Sequence, residues 1–244
     1  MNILAIDTAT EACSAALRAG SEVFARSQVI PQGHTRVLLD MVDALLHEAR
    51  LDRADLELIA CGRGPGSFTG VRIGVGAAQG LALGLGLKLL GVSDLQILAQ
   101  GAIRQLGAEK IAVAVDARMS EVYFALFENR DGLAVAVSQE RVCAPALAFD
   151  EIQKTFGETG FAVTGTGFAA SQDLKGLLER DGVPICGVRL PESSDMLPYV
   201  LAHPDEADLP ENIVPLYLRN DVTWKKIGEQ KKSGERNKLG GTAE

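Results

Sequence analysis

Residues 61–86 read CGRGPGSFTGVRIGVGAAQGLALGLG, with glycine at 62, 64, 66, 70, 74, 76, 80, 84 and 86. No other stretch limits the fold as tightly. A glycine inside a helix costs roughly 1 kcal/mol relative to alanine. The stretch is therefore either a loop whose bare amides cradle an anion, or a helix stripped so that something can pack closely against it. Gly70 and Gly74 are four apart, as are Gly76, Gly80 and Gly84, and four-residue spacing stacks residues near one helix face.

The loop motifs fail residue by residue. A P-loop needs GxxxxGK followed by Ser or Thr, but Lys88 is the only lysine before Lys110 and lies far past the turn. A dinucleotide fingerprint needs GxGxxG, but Gly64 and Gly66 are followed by Thr69. A nucleophile elbow needs GxSxG, and Ser67 follows Gly66 directly. The better reading is a Pro65-Gly66 turn, an N-cap at Ser67 or Thr69, and then a helix. Dispersion and Cα–H···O contacts with a second helix offset the glycine cost. That helix belongs either to the same chain or to another subunit.

Around this helix the pattern is α/β. Residues 3–6 form a strand, Asp7, Thr8 and Thr10 a polar turn, and residues 12–20 and 21–30 two further strands. Residues 34–50 are an amphipathic helix with Val37, Leu38, Met41, Leu45 and Ala49 on one face. A strand leads into the glycine-rich stretch, and residues 93–107 form another helix. The hairpin then returns in KIAVAVDARMSEVYFALFE. At an offset of 109, Ala5, Ile6 and Asp7 fall on Ala114, Val115 and Asp116, and Ala16 and Leu17 on Ala125 and Leu126. The faint repeat predicts two related α/β halves, each with an aspartate in its first turn. Further on come a strand, a glycine turn and a helix in FAVTGTGFAAS, a helix ending before Pro204, and an extended closing segment.

The totals exclude several classes. From Trp224 onward six Lys/Arg meet three Glu, so of the net charge of −8 the body carries −11. An acidic body argues against a broad nucleic-acid grip. The basic end either touches RNA or is simply solvated. The sequence opens on MNILAIDT, unlike a signal peptide. Residues 73–87 come nearest to a membrane span but are too short and too glycine-rich, so a cytoplasmic chain is expected. Cys13, Cys61, Cys143 and Cys186 are far apart and read as buried free thiols. The three histidines, His34, His47 and His203, offer neither zinc spacing nor a nucleophile's base. Asp7 and Asp116 either hold a hydrated magnesium across a cleft or cap backbone amides in their turns.

The segments ILAIDTATEACSAAL, GRGPGSFTGVRIGVGAAQGLALG, VDARMSEVY and YLRNDVTWKK, in this order, closely resemble the TsaB family of bacterial tRNA threonylcarbamoyladenosine biosynthesis proteins. The resemblance runs from residue 1 to about 226. It implies the actin/hexokinase/Hsp70-like (ASKHA) fold, with an N-terminal subdomain at 1–105, a second at 106–226 and a flexible basic tail at 227–244. It also implies a non-catalytic subunit that pairs with the transferase TsaD, is joined by the ATPase TsaE, meets tRNA through that complex, and forms homodimers when alone. No cofactor is required and no membrane is involved.

On that resemblance the glycine-rich helix presents Gly70, Val71, Gly74, Val75, Ala78 and Leu81 to a partner. Arg72 and Arg118 make structural or interface ion pairs. Asp7, Thr8, Asp116, Gly165 and Gly167 mark a vestigial nucleotide or magnesium site with weak or absent binding. Asp94 and Leu98 stand where TsaD carries metal-binding histidines, and Thr166 interrupts the paired glycines that actin-like ATPases favour. The rival readings are an ATP-dependent phosphotransferase and, less compatible with the histidines, a glycoprotease-type metallopeptidase.

Overall fold

The computed structural model describes residues 1–30 and 33–219; Trp224 and the expected tail at 227–244 lie outside them. The elements are β1 (Ile3–Asp7), β2 (Ala12–Ala19), β3 (Glu22–Val29), α1 (His34–Ala49), β4 (Leu58–Gly62), α2 (Phe68–Leu85), β5 (Leu89–Val92) and α3 (Asp94–Leu106). The second half adds β6 (Lys110–Asp116), β7 (Val122–Arg130), β8 (Leu133–Ala136), β9 (Arg141–Cys143), α4 (Pro145–Phe156), β10 (Ala162–Thr164), α5 (Gln172–Leu178) and α6 (Leu197–Ala202).

The first sheet runs β3-β2-β1-β4-β5 and the second β10-β6-β7-β8, with β9 also on β7. In each, a hairpin strand lies antiparallel to the first strand and a later strand joins it in parallel on the other side. Past β10, one parallel bridge between Val163 and Ile185 continues the second sheet as β5 continues the first. These are two related α/β halves, as the faint sequence repeat predicts. The sequence reading lacked β5, β8, β9 and α4. The first three are too short for periodicity to declare them.

The duplication needs one correction. Ala5 pairs with Ala16, while Ala114 pairs with Phe124. The counterpart of Ala16 is therefore Phe124, not Ala125. The second turn has one residue fewer, and a one-residue slip moves every side chain to the opposite face.

Burial follows from the alternation along each central strand. Leu4 and Ile6 join Leu38 and Leu45 of α1 and Val71, Val75 and Ala78 of α2. On the other face Ile3 and Ala5 meet Ile97, Met196, Leu197 and Val200. β1 is thus covered on both faces, which explains its unbroken apolar run. In the second half Phe124 and Leu126 pack on α4 and α5, while Val113, Ala125 and Phe127 pack on Leu95, Leu98 and Ala102 of α3. Helix α3 therefore lies between the two sheets. Arg104, near its end, forks onto Asp195 at 2.7 and 3.0 Å, holding the segment that returns to the first sheet. All four cysteines are free and buried.

Candidate functional site

Helix α2 starts at the first of the two caps the sequence offers, Ser67, whose Oγ accepts from the Gly70 amide at 3.3 Å, while Thr69 lies within the helix. Its glycines divide into two stripes. A Cβ on Gly70 would lie 2.2 Å from the Thr8 carbonyl oxygen, and one on Gly74 would lie 2.7 Å from Thr8 Oγ1. The Thr8 hydroxyl donates to the Gly70 carbonyl at 2.7 Å. The close neighbour of this stripe is the β1–β2 turn, not a second helix.

Val71, Val75 and Ala78 are buried in the first core beside them, and Leu81 is half-buried. The partner-facing surface expected of Gly70, Val71, Gly74, Val75 and Ala78 is therefore corrected: these residues face the chain's own interior, because the turn fills the space their missing side chains leave. Among the described residues, nothing lies within 4 Å of a Cβ built on Gly76, Gly80 or Gly84. With Leu83, 73% exposed, and half-buried Ile73 and Ala77, they form the outer face. By length and composition α2 could cross a membrane, but its inner face is packed against the sheet.

The turn that α2 covers holds a buried pair of acids. Asp7 and Asp94 are both essentially inaccessible. Asp94 Oδ2 accepts from the Gly64 amide at 2.5 Å, and Asp7 Oδ1 accepts from the Ala9 amide at 3.2 Å. The remaining oxygens, Asp7 Oδ2 and Asp94 Oδ1, have no hydrogen-bond partner among the described residues and both face Gly62. Burial pushes Asp7 up to about 6 against the pull of Asp94 and the Ala9 amide. Burial and the Asp7 charge together hold Asp94 well above the usual carboxylate range. Both carboxyls are thus held toward the neutral form.

Asp116 has a different fate. It lines a cleft of about 960 Å³ between the halves, which Asp7 does not reach. Arg118 bonds it twice, through its amide at 2.8 Å and its guanidinium at 3.2 Å. The Asp116 amide donates to Thr166 Oγ1 at 3.2 Å. Gly165 and Gly167 press against the Ala114 backbone, and Gly165 has a φ of +101°. Thr8, Asp7 and Asp116 therefore do not converge. The two aspartates share no space in which a magnesium ion could sit, so the arrangement does not fit the metal that this fold would suggest. Leu98 is buried in the second half's core.

The cleft also gathers residues that spacing did not reveal. Arg72, expected to form an ion pair, instead lies 3.5 Å over the centroid of the Phe68 ring and donates to the Tyr217 hydroxyl at 2.7 Å. Arg118, Met119 and Ser120 all have positive φ, a left-handed turn. Arg219 clamps that turn, donating to the Ala117 carbonyl at 3.1 Å and to Glu121 at 2.5 Å. Arg189 is exposed on the wall between these groups. The partners are too distant in sequence for any local signal to join them.

A TsaB protein of Escherichia coli, curated as a tRNA threonylcarbamoyladenosine biosynthesis protein, is 45% identical over 93% of this chain and 98% of its own length. The chain belongs to the TsaB family. The TsaB protein of Haemophilus influenzae is 37% identical over 93% of this chain and 97% of its own. A family model described as TsaD, tRNA N6-adenosine threonylcarbamoyltransferase, matches residues 26–175. A solved structure titled YeaZ from Pseudomonas aeruginosa superposes with a TM-score of 0.77 at 36% identity, covering 88% of this chain and all of that one. A second structure from that organism, titled as similar to peptidase YEAZ, gives 0.78 at 38% identity over 89% of this chain and 99% of its own. TsaB membership agrees with the motifs quoted above. It also places the α2 glycines, the buried acid pair and the cleft on a scaffold matched along nearly its whole length.

Proposed function

We propose that this chain is the non-catalytic subunit of a cytoplasmic assembly that makes threonylcarbamoyladenosine in tRNA. It holds a TsaD-type transferase in its active shape together with a TsaE-type ATPase, and it pairs with a second copy of itself when alone. The observation that carries this reading is the outer stripe of α2. Three glycines in a helix cost roughly 3 kcal/mol, and at Gly76, Gly80 and Gly84 nothing among the described residues approaches closely enough to offset it. A helix of another subunit laid along that stripe would.

The chemistry of the interior supports a subunit without its own turnover. Asp7 is committed to Asp94, and the N-terminus of α2 closes over its turn, Ser67 donating its amide to the Ala9 carbonyl at 2.7 Å. Weak or absent nucleotide binding and no required cofactor are consistent with that geometry. The test is co-purification with the transferase and ATPase, followed by tRNA modification with and without this chain. Gly80→Leu should keep the fold and lower association at least tenfold by sedimentation. Unchanged association would defeat the outer-face assignment. Gly74→Leu cannot serve, because it would drive into Thr8.

A further inference from the structure

We propose that the mouth of the cleft is a contact surface for a single-stranded RNA loop, with Phe68 as a stacking platform and Arg118 and Arg189 as phosphate ligands. The inference rests on the proposed place in tRNA modification and adds where this chain itself would touch the RNA.

Three observations meet there. First, Phe68 is 59% exposed and Tyr217 is 45% exposed, 5.9 Å apart by ring centroid. Arg72 backs Phe68 on one face and is itself held by the Tyr217 hydroxyl. A large ring fixed from behind and bare in front is what sequence-tolerant base stacking requires. A helix start that only needed capping has no use for an exposed Phe at its first position.

Second, four arginines line this one cleft: Arg72, Arg118, Arg189 and Arg219. Arg219 is spent on Glu121 and the turn carbonyls. Arg118 is 86% exposed, although it pairs with Asp116. Glu11 is the other acid on the lining. Positive charge therefore gathers at one place on a body whose formal charge is −11, and a polyanion is steered to such a place.

Third, the closing segment runs across the mouth. The Leu216 amide donates to the Arg63 carbonyl at 2.7 Å, Tyr217 reaches Arg72 and Arg219 reaches the far turn. The sequence then continues into the stretch with six Lys/Arg against three Glu. Aromatics interleaved with arginines favour an unpaired loop over a duplex, because only unstacked bases offer a face.

The experiment is fluorescence anisotropy of the full-length chain with a labelled anticodon stem-loop RNA, titrated between about 50 and 200 mM salt. Arg118→Gln with Arg189→Gln should weaken binding at least tenfold and lower the salt slope by about 1.4, near 0.7 for each lost charge. Phe68→Ala should weaken binding about tenfold and leave the slope unchanged. Arg26→Gln with Arg53→Gln, the same charge change on residues that do not line the cleft, should do little. The proposal is overturned if the chain does not bind the RNA at the lower salt, if the control pair weakens binding equally, or if a blunt RNA duplex binds as tightly. Competition by an acidic peptide at equal strength would mark a protein-docking surface instead. Co-purification with the transferase must survive the cleft variants. Its loss would overturn this surface as an RNA site, whereas its failure in the unmodified chain would overturn the proposed function.

Discussion

The two hairpin turns begin from the same position in related halves and end in opposite states. Asp7 and Asp116 each close the first strand of their sheet. Asp7 is sealed under the N-termini of α2 and α3, beside the equally buried Asp94. Asp116 looks into the cleft, and its turn is pinned from outside by Arg219. After β4 the chain enters a long helix stripped of side chains where it meets the turn. After β10 it makes only a short 3-10 turn at Gly167–Ala169 and then the short helix α5. A duplicated scaffold can thus turn one copy of a site into structure and leave the other open. What decides is whether the following element has the small residues needed to come close.

The comparison can be broken most severely at Gly62. A Cβ there would lie 1.9 Å from Asp7 Oδ2 and 2.9 Å from Asp94 Oδ1. Gly62→Ala should cost about 4 kcal/mol in chemical denaturation, because it overpacks the site and parts a buried carboxyl pair. A cost under about 1 kcal/mol would mean that the pair is not held together as described.

The dependence of stability on pH tests the sealed turn next. Asp7 and Asp94 keep their protons to higher pH in the folded chain than in the unfolded one. The folded state therefore binds more protons, and stability falls as pH rises from 3.8 through about 6. For Asp7 the loss is about 3 kcal/mol. Asp7→Asn, which removes the carboxyl that burial pushes up to about 6, should flatten that profile. A profile that keeps its slope in this variant would show that Asp7 is not buried as described.

The smallest effects lie in the open turn. Arg219→Ala removes the clamp on three left-handed residues and should cost about 1–2 kcal/mol. Arg118→Ala, whose ion pair is exposed, should cost less than about 0.5 kcal/mol. Reversal of that order in denaturation would show that the clamp does not hold the turn.

Much of the fold could be read from the residues. The alternating runs announced both hairpins, Ser67 announced the start of α2, and the repeat of Ile6-Asp7 in Val115-Asp116 announced two halves. The second strand was misaligned because turn length is not encoded in hydrophobic pattern. The outer glycines were separable from the inner ones only by burial, since apolar residues lie on both sides of α2: Val71 and Val75 within, Ile73 and Leu83 without.

What the sequence determined alone was local and periodic: which segments are strands, where helices begin, and that one helix is bare in places. Those properties depend on backbone preferences and side-chain spacing over a few residues. The tertiary structure decided which bare face meets the chain itself, that Asp7 finds Asp94, and that arginines from distant segments share one cleft. Such pairings join residues remote in sequence and are fixed only when the sheets and their covering helices compete for the same space.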